Sequence, residues 1–334
     1  MSGPDEFQVI AQLFAPLAQS FPGALGLTDD AALLPPDALA ETVVTVDAMV
    51  AGVHFLPDDP PDLVARKLVR VNLSDLAAKG ALPFAVLLAA AFPHGTSQDW
   101  LERFAHGLGQ DITEFGIALI GGDTVATPGP LTLSLTAMGK VAAGRAILRS
   151  GAQAGDMVWV SGTIGDGALG LRAARGQLSL PPEHIAALAD RYRLPRPRVS
   201  LGPCLVGLAS AGMDVSDGLV QDLGHLCRAS HLAAIIDAAA VPLSPAARAA
   251  LDLDQSLLAT LLTGGDDYEL LFAAPSSATA PLLELAERLG VPLTAIGRME
   301  AGSGVTVHDA SGRALSLGQG GWRHFSATIS GAGA

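Results

Sequence analysis

"GRAILRSGAQAGDMVWVSG", residues 144–162, is the stretch on which the fold reading turns. A glycine-rich, polar connection gives way at Met157 to "MVWVS", a fresh apolar strand. Before it lie β-branched or apolar strands, "TVVTVDAMV" ending at Asp47, "PFAVLLAAAFP", "IALIGGDT" stopping at its two glycines, and "LTLSLTAMGKV". Among these strands run an N-terminal amphipathic helix bent at Pro16, a long helix "LVARKLVRVNLSDLAAKGA", and a third helix with Ser97 as its N-cap. After it, strands and helices alternate: "MVWVS", a helix from Asp166, a helix after the turn "RLPRPRVS", "MDVS", "GLVQDLGHLCRAS", "AAIID", "YELLFAAP" and "PLTAIGRM". Such alternation predicts an α/β (α+β) protein of two domains, 1–149 and 150–334.

The chain has 334 residues, 49% of them hydrophobic and only 16% charged, so it can bury a large core and is not disordered. A net charge of −13 argues against a nucleic-acid groove. Two cysteines, Cys204 and Cys227, both in apolar stretches, give no disulfide framework or zinc spacing. The start "MSGPDEFQVIAQLF" lacks a basic segment, and no apolar run is long and clean enough to span a bilayer. A cytoplasmic protein with no membrane partner is expected.

A phosphate loop of the form G-x-x-x-x-G-K-[ST] is absent; "AMGKVAAG" lacks the upstream glycine and the hydroxyl. "GDGALG", at Gly165, Gly167 and Gly170, matches the dinucleotide fingerprint. The acid expected to close the next strand falls instead in "LSLPPEHIAALADRY", a turn and a helix. Tight strand–helix packing, or a general phosphate contact, suits those glycines better than a nicotinamide cofactor does.

The carboxylates are more telling. Of the 33 acids, 24 are aspartates. Asp30, Asp47, Asp75, Asp123, Asp214 and Asp217 each end an apolar element or lie inside one. Any one of them could be a cap or turn residue. Together they need counter-charge, and few lysines or arginines lie near them in sequence. Magnesium would supply it, since that ion takes oxygen ligands and keeps water and phosphate in its shell. Asp29 and Asp30 in "LTDDAALLP" could then both remain ionised.

The motifs "DDAALL", "TVDAMVAGVHF", "VNLSDLAAKGALP", "LIGGDT", "RSGAQAGD", "GTIGDGALGL", "VSDGLVQDL", "LTGGDDYELLF" and "GWRHF" run in order from about residue 27 to residue 325. In that order they resemble the thiamine-monophosphate kinase family, of the aminoimidazole ribonucleotide synthetase-like superfamily. The resemblance implies ATP-dependent phosphorylation of thiamine monophosphate to thiamine diphosphate, with several magnesium ions. It implies metal ligands at Asp30, Thr45, the backbone of Val46, Asp47, Asp75, Asp123, Asp214 and Asp217. ATP contacts would be Gly122, Arg149 and Ser216, and substrate contacts His54, Asp266 and Trp322. No covalent nucleophile is implied. It further implies an N-terminal domain that forms a barrel with that of a second copy, and a C-terminal α/β domain alongside. The apolar N-terminal strands independently favour a homodimer, which would cover an exposed sheet edge.

Three departures from the family pattern stand out: Thr28 for a glycine, Asp266 for a glutamate, and Ala51 for an acid. The rival readings are another ATP-using enzyme of the superfamily such as aminoimidazole ribonucleotide synthetase, a NAD-dependent dehydrogenase built on "GDGALG", and a non-catalytic magnesium–nucleotide module. Selenide-activating and carbamoyl-dehydrating members would need terminal cysteines that this sequence lacks.

Overall fold

In the computed structural model, residues 10–27, 32, 34 and 37–317 are described. Strands β1 (Ala40–Val50), β2 (Leu82–Pro93), β3 (Ala118–Thr127) and β4 (Thr132–Ala142) form one sheet in the order β1-β4-β2-β3. Only β2 and β3 run parallel, joined through helix α2 (Gln98–Phe115). Ser97 caps α2 by accepting the Trp100 N–H, as its position before "QDW" predicts.

Helix α1 (Pro61–Ala78) is the spine of the molecule. Pro61 opens it, with Asp62 in its first turn. It packs on β1 and β4 on one side. On the other it meets β6 (Ala211–Asp214) and β8 (Leu270–Ala274) of a second sheet. Between two sheets a helix keeps little solvent face, so its polar residues Lys67, Arg70, Asn72 and Ser74 are buried along with Leu68, Leu73 and Leu76. Burying each leucine stabilises by roughly 1.5–3 kcal/mol; each polar group must find a partner.

The second sheet adds β5 (Met157–Ser161), β7 (Ala233–Asp237), β9 (Leu293–Glu300) and β10 (Gly304–His308), in the order β10-β7-β9-β5-β8-β6. All its pairings but β10–β7 are antiparallel. The α/β class therefore holds in its α+β form. Strands that alternate with helices along the chain are here not neighbours in the sheet, since β5 lies between β8 and β9. Helices α3 (Asp166–Ala174), α4 (Pro182–Arg193), α5 (Leu219–Ser230), α6 (Pro245–Leu253), α7 (Leu257–Thr263) and α8 (Thr279–Leu289) complete the chain.

Four local expectations are corrected. β1 does not end at Asp47 but runs on to Val50, and its side chains alternate: Thr45 and Asp47 turn toward α1, while Val44 and Val46 are exposed. β3 does not stop at Gly121–Gly122. A Cβ at Gly122 would meet the Leu88 carbonyl oxygen at 1.9 Å, so glycine lets β2 and β3 approach beside a bulge at Val86/Leu87. The N-terminal helix is instead a π-helical turn, Ile10–Phe14, and a 3-10 turn, Ala15–Ala18, with Pro16 in the latter. The segment after "RLPRPRVS" is a 3-10 turn, Gly202–Leu205, which leaves Cys204 half-buried whereas Cys227 is fully buried. Among the described residues no helix is long and apolar enough to cross a membrane.

Candidate active site

The acids meet where α1 lies between the two sheets. Thr45 Oγ1 donates to Asp75 Oδ2 at 2.6 Å, and the Asp47 N–H donates to Asn72 Oδ1 at 3.0 Å, so β1 is fastened to α1 twice. From the other side Ser74 Oγ donates to Asp214 Oδ2 at 2.7 Å, which ties α1 to the end of β6. Burial lifts the Asp47 carboxyl to about 6, with help from Asp75 and Asp217. Burial likewise raises Asp214, and Asp75 adds to it. The influence of Asp75 and Asp217 on Asp47, and of Asp75 and Asp47 on Asp214, places the four in one electrostatic cluster.

The 215–218 turn is shaped by Asp222 in the first turn of α5. Its Oδ2 accepts the N–H groups of Ser216, Asp217 and Gly218 at 3.0, 3.0 and 3.1 Å. Burial and Asp217 push Asp222 up to about 7, against the pull of those three donors. Gln221 Nε2 donates to Asp217 Oδ2 at 3.0 Å. Asp222 escaped the sequence reading, although an acid in the first turn of a helix is a legible capping signal.

Cations do stand near the acids, contrary to the sequence reading. Lys79 Nζ donates to the Gly212 carbonyl at 3.1 Å. Burial and nearby Arg149 lower its pKa, while Asp214 and Asp75 oppose them. Lys79 lies one helical turn after Asp75, a spacing that puts both on one face. Arg149 is exposed in the connection after β4.

His54 lies in the loop after β1. A positive-φ Gly52 and a Gly52 N–H to Phe55 carbonyl bond fold that loop. His54 Nδ1 accepts the Val50 N–H at 3.0 Å, so the neutral ring carries its proton on Nε2. Asp266 comes from the segment before β8, and its N–H donates to the Ser216 carbonyl at 2.9 Å. A Cβ at Gly265 would lie 2.2 Å from that same carbonyl oxygen, so the glycine is what allows this close approach.

Asp123 does not join the cluster within one chain. It pairs with Ala89, Ala89 with Ser134, and Ser134 with Ala48, so it stands across the whole sheet from β1. Three inter-strand steps amount to about 14 Å. It shares the opposite sheet face with Ala48, whereas Asp47 turns toward α1. There Gly122, Asp123, Ser134 and Thr136 line a cavity of about 540 Å³ roofed by Ile10, Phe14 and Leu27. Asp30 and Trp322, with Thr28 and Asp29, lie outside the described residues.

"GDGALG" is occupied by the protein itself. Asp267 accepts the N–H groups of Gly165 and Gly167 at 2.7 and 3.0 Å. A Cβ at Gly165, Gly167 or Gly170 would strike Leu261, Asp266 or Leu188. The helix start that would cradle a dinucleotide is therefore filled by a carboxylate, and α4 replaces the strand a nicotinamide site requires.

Magnesium fits the donor set. Among the described residues no three histidine, cysteine or acidic side chains form a group able to hold a metal ion by themselves. All-protein cages are not the habit of this ion, which binds through one or two carboxylates plus water and phosphate. Asp47 and Asp214, raised first by burial and then by neighbouring carboxylates, are short of positive charge.

An α1 spine, a four-stranded sheet and a six-stranded mixed sheet meeting at an aspartate cluster define an AIR synthase-related protein. The family model described as AIR synthase related protein, N-terminal domain, matches residues 28–141, and that of the C-terminal domain matches residues 153–310. Within this group the chain belongs to the thiamine-monophosphate kinase family, and it is a kinase. It is 44% identical over 324 residues to the thiamine-monophosphate kinase of Caulobacter vibrioides, covering 96% of this chain and 91% of the relative. The crystal structure of the thiamine-monophosphate kinase from Stenotrophomonas maltophilia K279a superimposes with a TM-score of 0.79 at 45% identity, over 86% of this chain and 90% of that one. AaThiL complexed with AMPPCP and TMP gives 0.77 at 31% identity, over 89% and 91%.

Proposed function

We propose that this chain transfers the terminal phosphoryl group of ATP to the phosphate of thiamine monophosphate, giving thiamine diphosphate and ADP. A phosphate oxygen of the acceptor forms the new bond to the γ-phosphorus, and the bond to the β–γ bridging oxygen breaks. The acceptor is already an anion, so no protein nucleophile or general base is needed. The difficulty is bringing two anions together. The observation that carries this reading is the convergence of Asp47, Asp75, Asp214 and Asp217 beside Lys79 and Arg149.

Several magnesium ions, when bound, would neutralise and align the phosphates. Asp30, Thr45, the Val46 backbone, Asp47, Asp75, Asp123, Asp214 and Asp217 would hold them. Gly122, Arg149 and Ser216 would contact ATP, with the Ser216 N–H fixed on Asp222. His54, Asp266 and Trp322 would contact the thiamine substrate. His54 and Asp266 belong to different domains, divided near residue 150, so substrate would lie across the domain junction.

The enzyme acts as a homodimer in the cytoplasm on this reading. Val44 and Val46 on edge strand β1 and Val125 on edge strand β3 are 58%, 61% and 50% exposed. Joining β1 of one copy to β3 of a second would cover them and close a barrel. The test is purified protein with ATP, magnesium and thiamine monophosphate, the product identified by mass. Thiamine diphosphate is expected, with poor use of free thiamine; equal or better use of free thiamine overturns the phosphate-acceptor reading. ATP binding without turnover on any phosphate acceptor would leave a binding module.

A further inference from the structure

Lys67 lies on α1, two helical turns before Asp75, or about 12 Å along the axis. Its side chain is only 3% exposed. A buried ammonium must place three N–H bonds, and removal from water lowers its pKa unless partners compensate. Lys67 finds its partners on three separate segments. Nζ donates to the His54 carbonyl at 3.0 Å and to Asp266 Oδ2 at 3.3 Å, and it lies 3.8 Å from the centroid of the Tyr192 ring.

Those partners are themselves cross-linked. The Tyr192 hydroxyl donates to the same His54 carbonyl at 3.4 Å, and the Tyr268 hydroxyl donates to Asp266 Oδ1 at 3.1 Å. Asp266 and Tyr268 have φ of +71° and +52°, a region that side-chain-bearing residues rarely occupy. Such strain persists only where surrounding contacts over-determine it. An apolar residue at position 67 would remove the contact that ties the His54 loop to the strained Asp266 segment.

We infer that Lys67 is a positioning residue of the acceptor site, holding His54 and Asp266 at a fixed spacing across the domain junction. With one oxygen on Lys67 and the other on Tyr268, Asp266 is an oriented hydrogen-bond acceptor rather than an unpaired charge. It is therefore suited to reading a donor N–H of the substrate. The inference rests on the reading of His54 and Asp266 as contacts of the thiamine substrate.

The experiment is a kinetic cycle on the full-length protein: wild type, Lys67→Met, Asp266→Asn and the double variant, each with its melting temperature. Lys67→Met is expected to raise the KM for thiamine monophosphate tenfold or more while the KM for ATP stays within twofold. In the double variant the rise is expected to fall well short of the product of the two single effects, because the residues act as one unit. A lowered melting temperature with both KM values unchanged would make Lys67 purely structural and overturn the inference. Equal rises in both KM values, or fully multiplicative effects, would do the same. If Lys67→Met fails to fold, the double variant removes both charges together and carries the KM comparison alone. Failure of the wild-type protein to use thiamine monophosphate would bring down the functional reading and this inference together. With wild-type turnover intact, the outcome bears on Lys67 only.

Discussion

Thr45 Oγ1 stands 2.6 Å from Asp75 Oδ2, and this bond joins an edge strand to a buried helix at the centre of the acid cluster. Asp75 therefore has one oxygen oriented by a neutral donor, as a carboxylate prepared for a cation would.

Replacing Asp75 with asparagine is expected to abolish turnover at ordinary magnesium concentration while leaving the far-ultraviolet spectrum and melting profile native. Thr45→Val removes only the orienting donor, and its expected effect is a tenfold to hundredfold increase in the magnesium required for half-maximal rate. Titrating magnesium against initial velocity checks both. Near-wild-type curves for the two variants would remove the cluster from catalysis.

The same acids give the metal-free protein a signed pH dependence. Asp47 titrates at about 6 in the folded state against 3.8 for the ordinary side chain, and Asp214 is raised in the same direction. The folded state then holds more protons than the unfolded one above about pH 4, so stability falls as pH rises. The contribution is complete below the ordinary value and is lost through about 6 for Asp47. Magnesium favours the ionised carboxylates and should flatten that fall. Melting temperatures from pH 5 to 8.5, with chelator and with magnesium, test this. An identical slope in both series would mean that the acids do not see the ion.

What could be read in advance follows from the range over which each interaction acts. Asp47, Asp75, Asp214 and Asp217 each sit in a short motif with its own neighbours, and the fold brings the four together. Ser97 was legible because a cap acts over three residues. Asp267 was not, since its partners Gly165 and Gly167 lie about a hundred residues away. Lys67 carries no local signal of its role, because its burial comes from the placement of α1 between two sheets. The glycines of "IGGDT" suggested a strand end, but the contact that requires them is with β2. Asp123 was grouped with the other acids by its motif, although sheet order places it at the opposite edge.

Edge strands β1 and β3 carry exposed valines on both margins of one sheet, which is a poor surface for a monomer. Val46→Lys would put a charge into the proposed seam without touching the inward face that bears Thr45 and Asp47. It is expected to shift the protein from dimer to monomer in light scattering at micromolar concentration, with activity falling in step. A wild-type monomer at that concentration, fully active, would end the homodimer reading.

The acceptor end offers a separable readout. His54 Nδ1 is engaged by the Val50 N–H, so the neutral ring carries its N–H donor at Nε2. His54→Ala removes that donor but also the bond that braces the loop. The two roles differ in what they change. Loss of a substrate contact raises the KM for thiamine monophosphate and leaves that for ATP in place. Loss of a brace lowers the melting temperature. One charge-assisted or stacking contact is worth on the order of 1–3 kcal/mol, or roughly tenfold to a hundredfold in apparent affinity. Trp322→Ala, at the far end of the chain, is expected to give a selective KM change of the same size through loss of a flat face for the thiamine rings. Measuring both Michaelis constants and the melting temperature on one preparation of each variant separates the roles. A lowered melting temperature with unchanged constants would withdraw His54 from the acceptor site. The same result for Trp322 would assign it to packing.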